Sequence, residues 1–207
     1  MGRSTKKRDL HEGSVVCMRL LLALLAAYVV ALHAVAQTAP DTHAPSRAAG
    51  LTAFRAITPA LRNPRCLVCH SSGDYPRQGD DLHRHIMDVR RGPDGDGAAP
   101  VHCNTCHQDR NLPGMHVPPG APDWHLPSPE NPMIWGGLTD RQLCELLIDP
   151  KRNGGRDAKG IEEHMHTPLV LWGWHPGEGR TPVSMPEEIF LKNVHVWTTA
   201  GTPCPER

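Results

Sequence analysis

Residues 20–32 form an almost unbroken apolar run, preceded by Arg19 and followed by Ala34-Val35-Ala36 before Gln37. At thirteen residues the run falls short of the roughly 20 that a bilayer core requires. With its small-x-small end it reads as a secretory signal peptide over residues 1–36. Met18, just ahead of Arg19, is an alternative start, which would leave Cys17 outside the translated chain. A Pro-, Ala- and Thr-rich linker over 37–50 follows, and then helical periodicity begins. Residues 51–57 predict a short helix. Thr139 and Gln142 form a capping box that opens a second helix, which carries Leu143, Leu146 and Leu147 on one face and stops at Pro150. Ser184 and Glu187 repeat the signal ahead of a last helix over 187–200, ended by Gly201. Between these helices, residues 71–132 are dominated by Pro, Gly, Asp and His and predict turns and extended loops. Residues 169–174, Leu-Val-Leu-Trp-Gly-Trp, predict a buried packing segment or a strand. The expected fold class is mainly α with long irregular loops, in a single domain over 51–207.

Composition sharpens that picture. Aromatic residues make up only 4% of the chain, while Gly (19) and Pro (21) account for nearly one residue in five. Such a chain is poorly equipped to build a large core from its own side chains, so some other apolar body is expected to supply buried surface. The 22 basic and 22 acidic residues balance over the full chain, but five basic and two acidic ones lie in residues 1–36. The exported part therefore carries a net charge of about −3, which gives no basic surface for nucleic acid. After cleavage no membrane span is expected.

The cysteines carry the chemistry. Four of the seven fall in two matching units, Cys66-Leu67-Val68-Cys69-His70 and Cys103-Asn104-Thr105-Cys106-His107. Cys-x-x-Cys spacing lets two thiols reach the two vinyl groups on one porphyrin edge, and the histidine that follows then lies beneath the ring. Cys-x-x-Cys-His is accordingly the c-type haem attachment signature. A four-cysteine zinc site is a competing reading. However, 33 residues separate Cys69 from Cys103, against roughly 15–20 in zinc ribbons, and zinc has no use for the two histidines. A thioredoxin-like site would need a βαβ pattern, which is absent from the sequence. Two covalent haem c groups are expected, with His70 and His107 as proximal iron ligands. The poor core and the haem motifs then account for each other. The remaining exported cysteines, Cys144 and Cys204, are expected to form a disulfide, as spare cysteines in an oxidising compartment do.

The sixth ligand of each iron sets its potential and reactivity. Many histidines and methionines compete for these positions. His85, in a segment reaching toward the second motif, and His125, in the stiff apolar Trp124-His125-Leu126-Pro127, are the first candidates, giving bis-histidine haems. His164 is the reserve. Asp94-Gly95-Asp96-Gly97 resembles the start of a calcium loop but lacks the later ligands, and a plain turn is the expectation.

A wider set of segments resembles a known family. These are Asn63-Pro64-Arg65-Cys66 leading into Cys69-His70, Gln78-Gly79-Asp80-Asp81, Arg91-Gly92-Pro93-Asp94-Gly95, Ala121-Pro122-Asp123-Trp124-His125-Leu126-Pro127, Asn153-Gly154-Gly155-Arg156-Asp157 and Pro168-Leu169-Val170-Leu171-Trp172-Gly173-Trp174. Together they are similar to small dihaem c-type cytochromes described as an isoquinoline 1-oxidoreductase subunit. The likeness runs over about 53–205 and includes Cys144 and Cys204. His175 stands where the family pattern leads one to expect Asn, so the resemblance does not mark it as a ligand. The resemblance implies a periplasmic subunit that passes electrons from a molybdenum hydroxylase toward the respiratory chain, with redox proteins as partners. The alternative function is a dihaem enzyme of peroxidase or sulfur-compound oxidase type, which needs one open iron and polar groups above it. No distal catalytic constellation stands out in the sequence, so electron transfer is the leading expectation, with the cofactor carrying the chemistry.

Overall fold

Two long amphipathic helices lie against each other and set the frame of a mainly helical structure. The computed structural model describes residues 44–206. The expected signal peptide and the linker up to residue 43 lie outside the described residues. Helix α1 (Arg47–Leu61) starts at Ser46, whose hydroxyl accepts a hydrogen bond from the Ala49 amide at 3.2 Å. It is longer than the expected 51–57 at both ends, and its first turn falls inside the stretch expected as linker. Pro59 lies within this helix. Helix α1 packs along the last helix of the fold, and between them Phe54 and Trp197 bring their ring centres to 5.2 Å. Gly50 is required at the end of this contact: a Cβ there would stand 2.6 Å from the Ala200 Cβ.

A one-turn helix α2 (Pro64–Leu67) follows directly. A two-residue hairpin comes next, with β1 (Arg77–Gln78) antiparallel to β2 (His83–Arg84), pairing Arg77 with Arg84 and Gln78 with His83. Residues 85–138 contain only short 3-10 turns among the described elements. Here buried Arg91 acts as a tie, donating to the carbonyls of Gly73 and Pro127 and so joining distant loops.

Helix α3 (Asp140–Ile148) has the expected capping box. The Gln142 amide donates to the Thr139 hydroxyl at 3.2 Å, and the Thr139 amide donates to the Gln142 side chain at 2.9 Å. Leu143, Leu146 and Leu147 are buried, as their spacing predicts. Arg62, at the end of α1, donates to the Leu138 carbonyl and pairs with Asp140, both at 2.8 Å, which docks α1 against the start of α3. Helix α4 (Ala158–Met165) is capped by Asp157, and residues 168–174 form a helical turn, α5 (Pro168–Leu171), running into a 3-10 turn (Trp172–Trp174). The strand reading of this segment is thus overturned: Pro168 sits at the first helical position, where its fixed φ suits a helix and its missing N–H costs nothing.

The final helix α6 (Glu187–Thr199) has Pro186 at its N-cap and no side-chain cap bond, so the expected Ser184 capping box does not form. Beyond it, Cys204 is disulfide-bonded to Cys144 in α3, as expected. The main core gathers side chains of α1, α3, α4 and α6, including Phe54, Ile57, Leu143, Phe190, Val194 and Trp197. Among the described residues no helix is long and apolar enough to cross a membrane.

Candidate functional site

Each Cys-x-x-Cys-His unit folds into one helical turn with the same pair of backbone bonds. In the first, the amides of Cys69 and His70 both donate to the Cys66 carbonyl, at 3.3 and 3.1 Å. In the second, the amides of Cys106 and His107 both donate to the Cys103 carbonyl, at 3.2 and 2.9 Å. Residues three and four apart on such a turn lie on one face. Both thiols and the imidazole of each unit therefore project to the same side. Asn63 caps the first turn through its side chain, whereas the second has no side-chain cap.

Both motif histidines are held in the same way. The His70 Nδ1 donates to the Met133 carbonyl at 3.0 Å, and the His107 Nδ1 donates to the Pro119 carbonyl at 2.7 Å. That bond selects the tautomer whose Nε2 is a free lone pair, the arrangement common to metal-bound histidines. Residues 133–135 brace His70 twice more: the Trp135 amide donates to the His70 carbonyl at 3.0 Å, and the Trp135 ring stacks on the imidazole with centres 3.7 Å apart. His107 is likewise stacked by Trp124 at 4.3 Å. The Pro119 carbonyl reaches His107 because Gly120 lets two strands of backbone close up. A Cβ at Gly120 would stand 2.3 Å from the carbonyl oxygens of both Gln108 and Arg110. The Asn111 side chain then accepts from the Gly120 amide at 3.0 Å and from the Trp172 indole at 3.2 Å, and donates to the His175 carbonyl at 2.6 Å.

Cys66, Cys69 and His70 open onto a cavity of about 360 Å³ whose walls are largely apolar, with Leu61, Leu147, Ile161, Met165, Trp172 and Phe190 among them. His125 and His164 line the same cavity. Burial there pushes the Cys66 thiol up to about 12, with Cys69 adding to the effect and Arg65 opposing it. Burial pushes Cys69 up to about 12 as well, Cys103 adds to it and Arg91 opposes it. Cys103 is raised by burial and by Asp96. Burial pushes His70 down to about 3, against the Met133 carbonyl, and His164, Arg91 and Arg156 lower it further. His164 falls to about 4 through burial, Arg156 and His125. His107 is lowered by burial, against the Pro119 carbonyl, with His85 and Arg180 adding to the shift. The imidazoles are thus neutral at neutral pH, the form in which they bind metals.

Two buried donors bear on what the cavity holds. The Trp135 indole N–H and the Arg65 Nε–H are enclosed without a hydrogen-bond partner, and both residues line the cavity. Unsatisfied buried donors in a native structure call for an explanation. A large flat apolar group bearing acceptor atoms, tethered at Cys66 and Cys69, meets the chemistry of these walls, and haem c is such a group. Among the described residues no three His, Cys, Asp or Glu side chains converge as a metal cage would require.

The other sequence candidates divide between the two motifs. The His85 ring lies against His107, with centres 6.1 Å apart, while His125 and His164 face the cavity of His70. The remaining described histidines, His83, His102, His116, His166, His175 and His195, are exposed. Sequence reasoning missed Trp135, as well as the Met133 and Pro119 carbonyls. Scarce aromatics were the available signal for Trp135, whereas no side-chain pattern marks a backbone carbonyl.

No family model, curated protein or solved structure matches the chain.

Proposed function

We propose that the chain is an exported dihaem c-type cytochrome domain that carries electrons between redox proteins. The observation that supports this reading most is the repetition of one local geometry at both motifs. Two thiols and an imidazole share one face of a single turn, with the imidazole Nδ1 on a carbonyl and its Nε2 free. A chance Cys-x-x-Cys-His would have no reason to repeat those bonds on two unrelated segments.

When bound, haem supplies a one-electron iron couple. The chain's own part is to tether, orient and insulate it. Cys66 with Cys69, and Cys103 with Cys106, would fix its position through thioether links. His70 and His107 would hold the iron, and the carbonyls of Met133 and Pro119 keep their Nδ1 protons in place. Trp135 and Trp124 stop the rings from rotating. The apolar wall around His70 excludes water, and Arg91 and Arg156 lie close enough to bias the charge of that site. Trp124, stacked on His107, also lines the first cavity and meets Trp172 edge-on at 4.9 Å, so apolar contact joins the two sites. The segments resembling small dihaem cytochromes support the periplasm as the location and a molybdenum hydroxylase as the electron donor.

Single substitutions Cys69→Ala and Cys106→Ala, in protein matured by a cytochrome c-producing host, test the reading. Each is expected to lose one of two haems, as measured by haem content per chain. Unchanged content, or zinc in place of haem, overturns it.

A further inference from the structure

The second motif contains more than a proximal ligand. We infer that His85 is the other axial ligand opposite His107, so that the second haem is a closed bis-histidine centre. This rests on reading Cys103–His107 as a haem attachment site. The two imidazole centres lie 6.1 Å apart with their planes at 64°. Rings bound to one metal through their Nε2 atoms stand roughly 6 Å apart, because each imidazole–metal bond is about 2 Å and each ring centre lies about 1 Å beyond its nitrogen. A plain edge-on pair of rings also falls in this range, so the hydrogen bonding of the two rings decides between the readings.

The hydrogen bonding is mirrored across the gap. His85 Nδ1 donates to the Ile86 carbonyl at 2.6 Å, and His107 Nδ1 donates to the Pro119 carbonyl at 2.7 Å. Among the described residues neither Nε2 has a hydrogen-bond partner. Each ring therefore offers a lone pair and keeps its proton on Nδ1, so ligation needs no proton to leave. Neighbouring His83 differs: it is exposed, and its Nδ1 bonds the Asp81 carboxylate at 2.6 Å.

The segment around His85 is held firmly. The His85 amide donates to the Pro76 carbonyl at 3.0 Å, and the Ile86 amide donates to the Gln78 side chain at 3.2 Å. Just beyond, Met87 and Asp88 have φ of 70° and 51°. Consecutive left-handed residues without glycine are unusual, and such strain gathers where the surrounding structure over-determines the chain. Asp88 pairs with Arg84 and Arg90 across that turn. The turn is exposed, with Met87 and Ile86 on its surface, while the half-buried His85 ring stands near His107.

The test compares wild-type and His85→Ala holoprotein by electron paramagnetic resonance of the oxidised form and carbon monoxide titration of the reduced form. The inference expects one haem to change from low to high spin in the variant, with one more carbon monoxide bound per chain than in wild type. Added imidazole should restore the low-spin signal. Combining His85→Ala with Cys69→Ala, which leaves the second haem alone, should give a wholly high-spin protein. His85→Met guards against failure of the alanine variant to mature: it should stay low-spin, gain a methionine–iron absorption band and show a raised midpoint potential at one haem. If both variants carry two haems with wild-type spin state, gas binding and potential, His85 is no ligand, and the haem reading survives. A wild-type chain without haem would end both.

Discussion

At the scale of single residues, the structure makes small backbone details responsible for how the motif histidines are oriented. Gly120 is the clearest case, because its lack of a side chain lets the Pro119 carbonyl reach His107. Gly120→Ala would force a methyl group to 2.3 Å from two carbonyl oxygens. Overpacking of this kind costs about 1–3 kcal/mol, and here the strain falls on the carbonyl that orients His107. The expected outcome is a lower denaturation midpoint together with a disturbed spectrum of the second haem and an unaltered first one. Equal disturbance of both haems would contradict the local role given to Gly120. The two motif histidines, His70 and His107, were legible as candidates in the sequence because the proposed attachment chemistry fixes their spacing from the thiols. The carbonyls that hold them were not legible, since every residue has one and only the tertiary path decides which carbonyl meets which ring. The ambiguity between His125 and His164 has the same origin: both reach one cavity from segments far apart in the chain.

Among the elements, the helical frame is held by a few specific links. Glu162 of α4 accepts from His195 and Thr198 of α6, each at 2.8 Å. Burial alone would raise this carboxyl, but the bonds from His195 and Thr198 outweigh it and hold it below its ordinary value. A depressed carboxylate contributes stability that is present above its unfolded value and is lost as pH falls through the folded one. The protein should therefore lose stability on acidification below about pH 4.5, and Glu162→Gln should flatten that limb in thermal melts across pH. An identical acid limb in the variant would show that Glu162 does not contribute. The Cys144–Cys204 link closes a loop with a sequence separation of 60. The chain-entropy treatment gives about 4 kcal/mol for a loop of that size. A Cys144→Ala/Cys204→Ala double variant is expected to lose up to that amount in denaturant titrations, and no loss would contradict the link's role. Helix α3 was legible because its capping box and apolar face agree. Helix α4 was not: it has only eight residues and includes Gly160, so its periodicity is too short to stand out. The start of α6 at residue 187 was legible, but its cap was not: Ser184 offers a cap in sequence that the chain, turning at Pro186, does not use.

Across the whole molecule, sparse aromatics and abundant Gly and Pro accompany a fold whose middle stretch is loop, with helices and loops together lining a cavity. The two sites differ in surroundings. The first lies in an apolar cavity with Arg91 and Arg156 nearby, while Cys106 of the second is exposed. Oxidation adds positive charge at the iron, which burial and neighbouring cations both oppose. A redox titration should resolve two waves, with the higher potential at the first haem, and Cys69→Ala should remove that wave. Loss of the lower wave instead would reverse the assignment. The central claim, two closed haems that carry electrons, is tested most directly by the optical spectrum of the reduced, exported protein before and after carbon monoxide is added. The account predicts absorption from two c-type haems per chain, unchanged by the gas. Absence of haem absorption would contradict the account outright, and gas binding at one haem would show an open iron and favour a dihaem enzyme over a carrier.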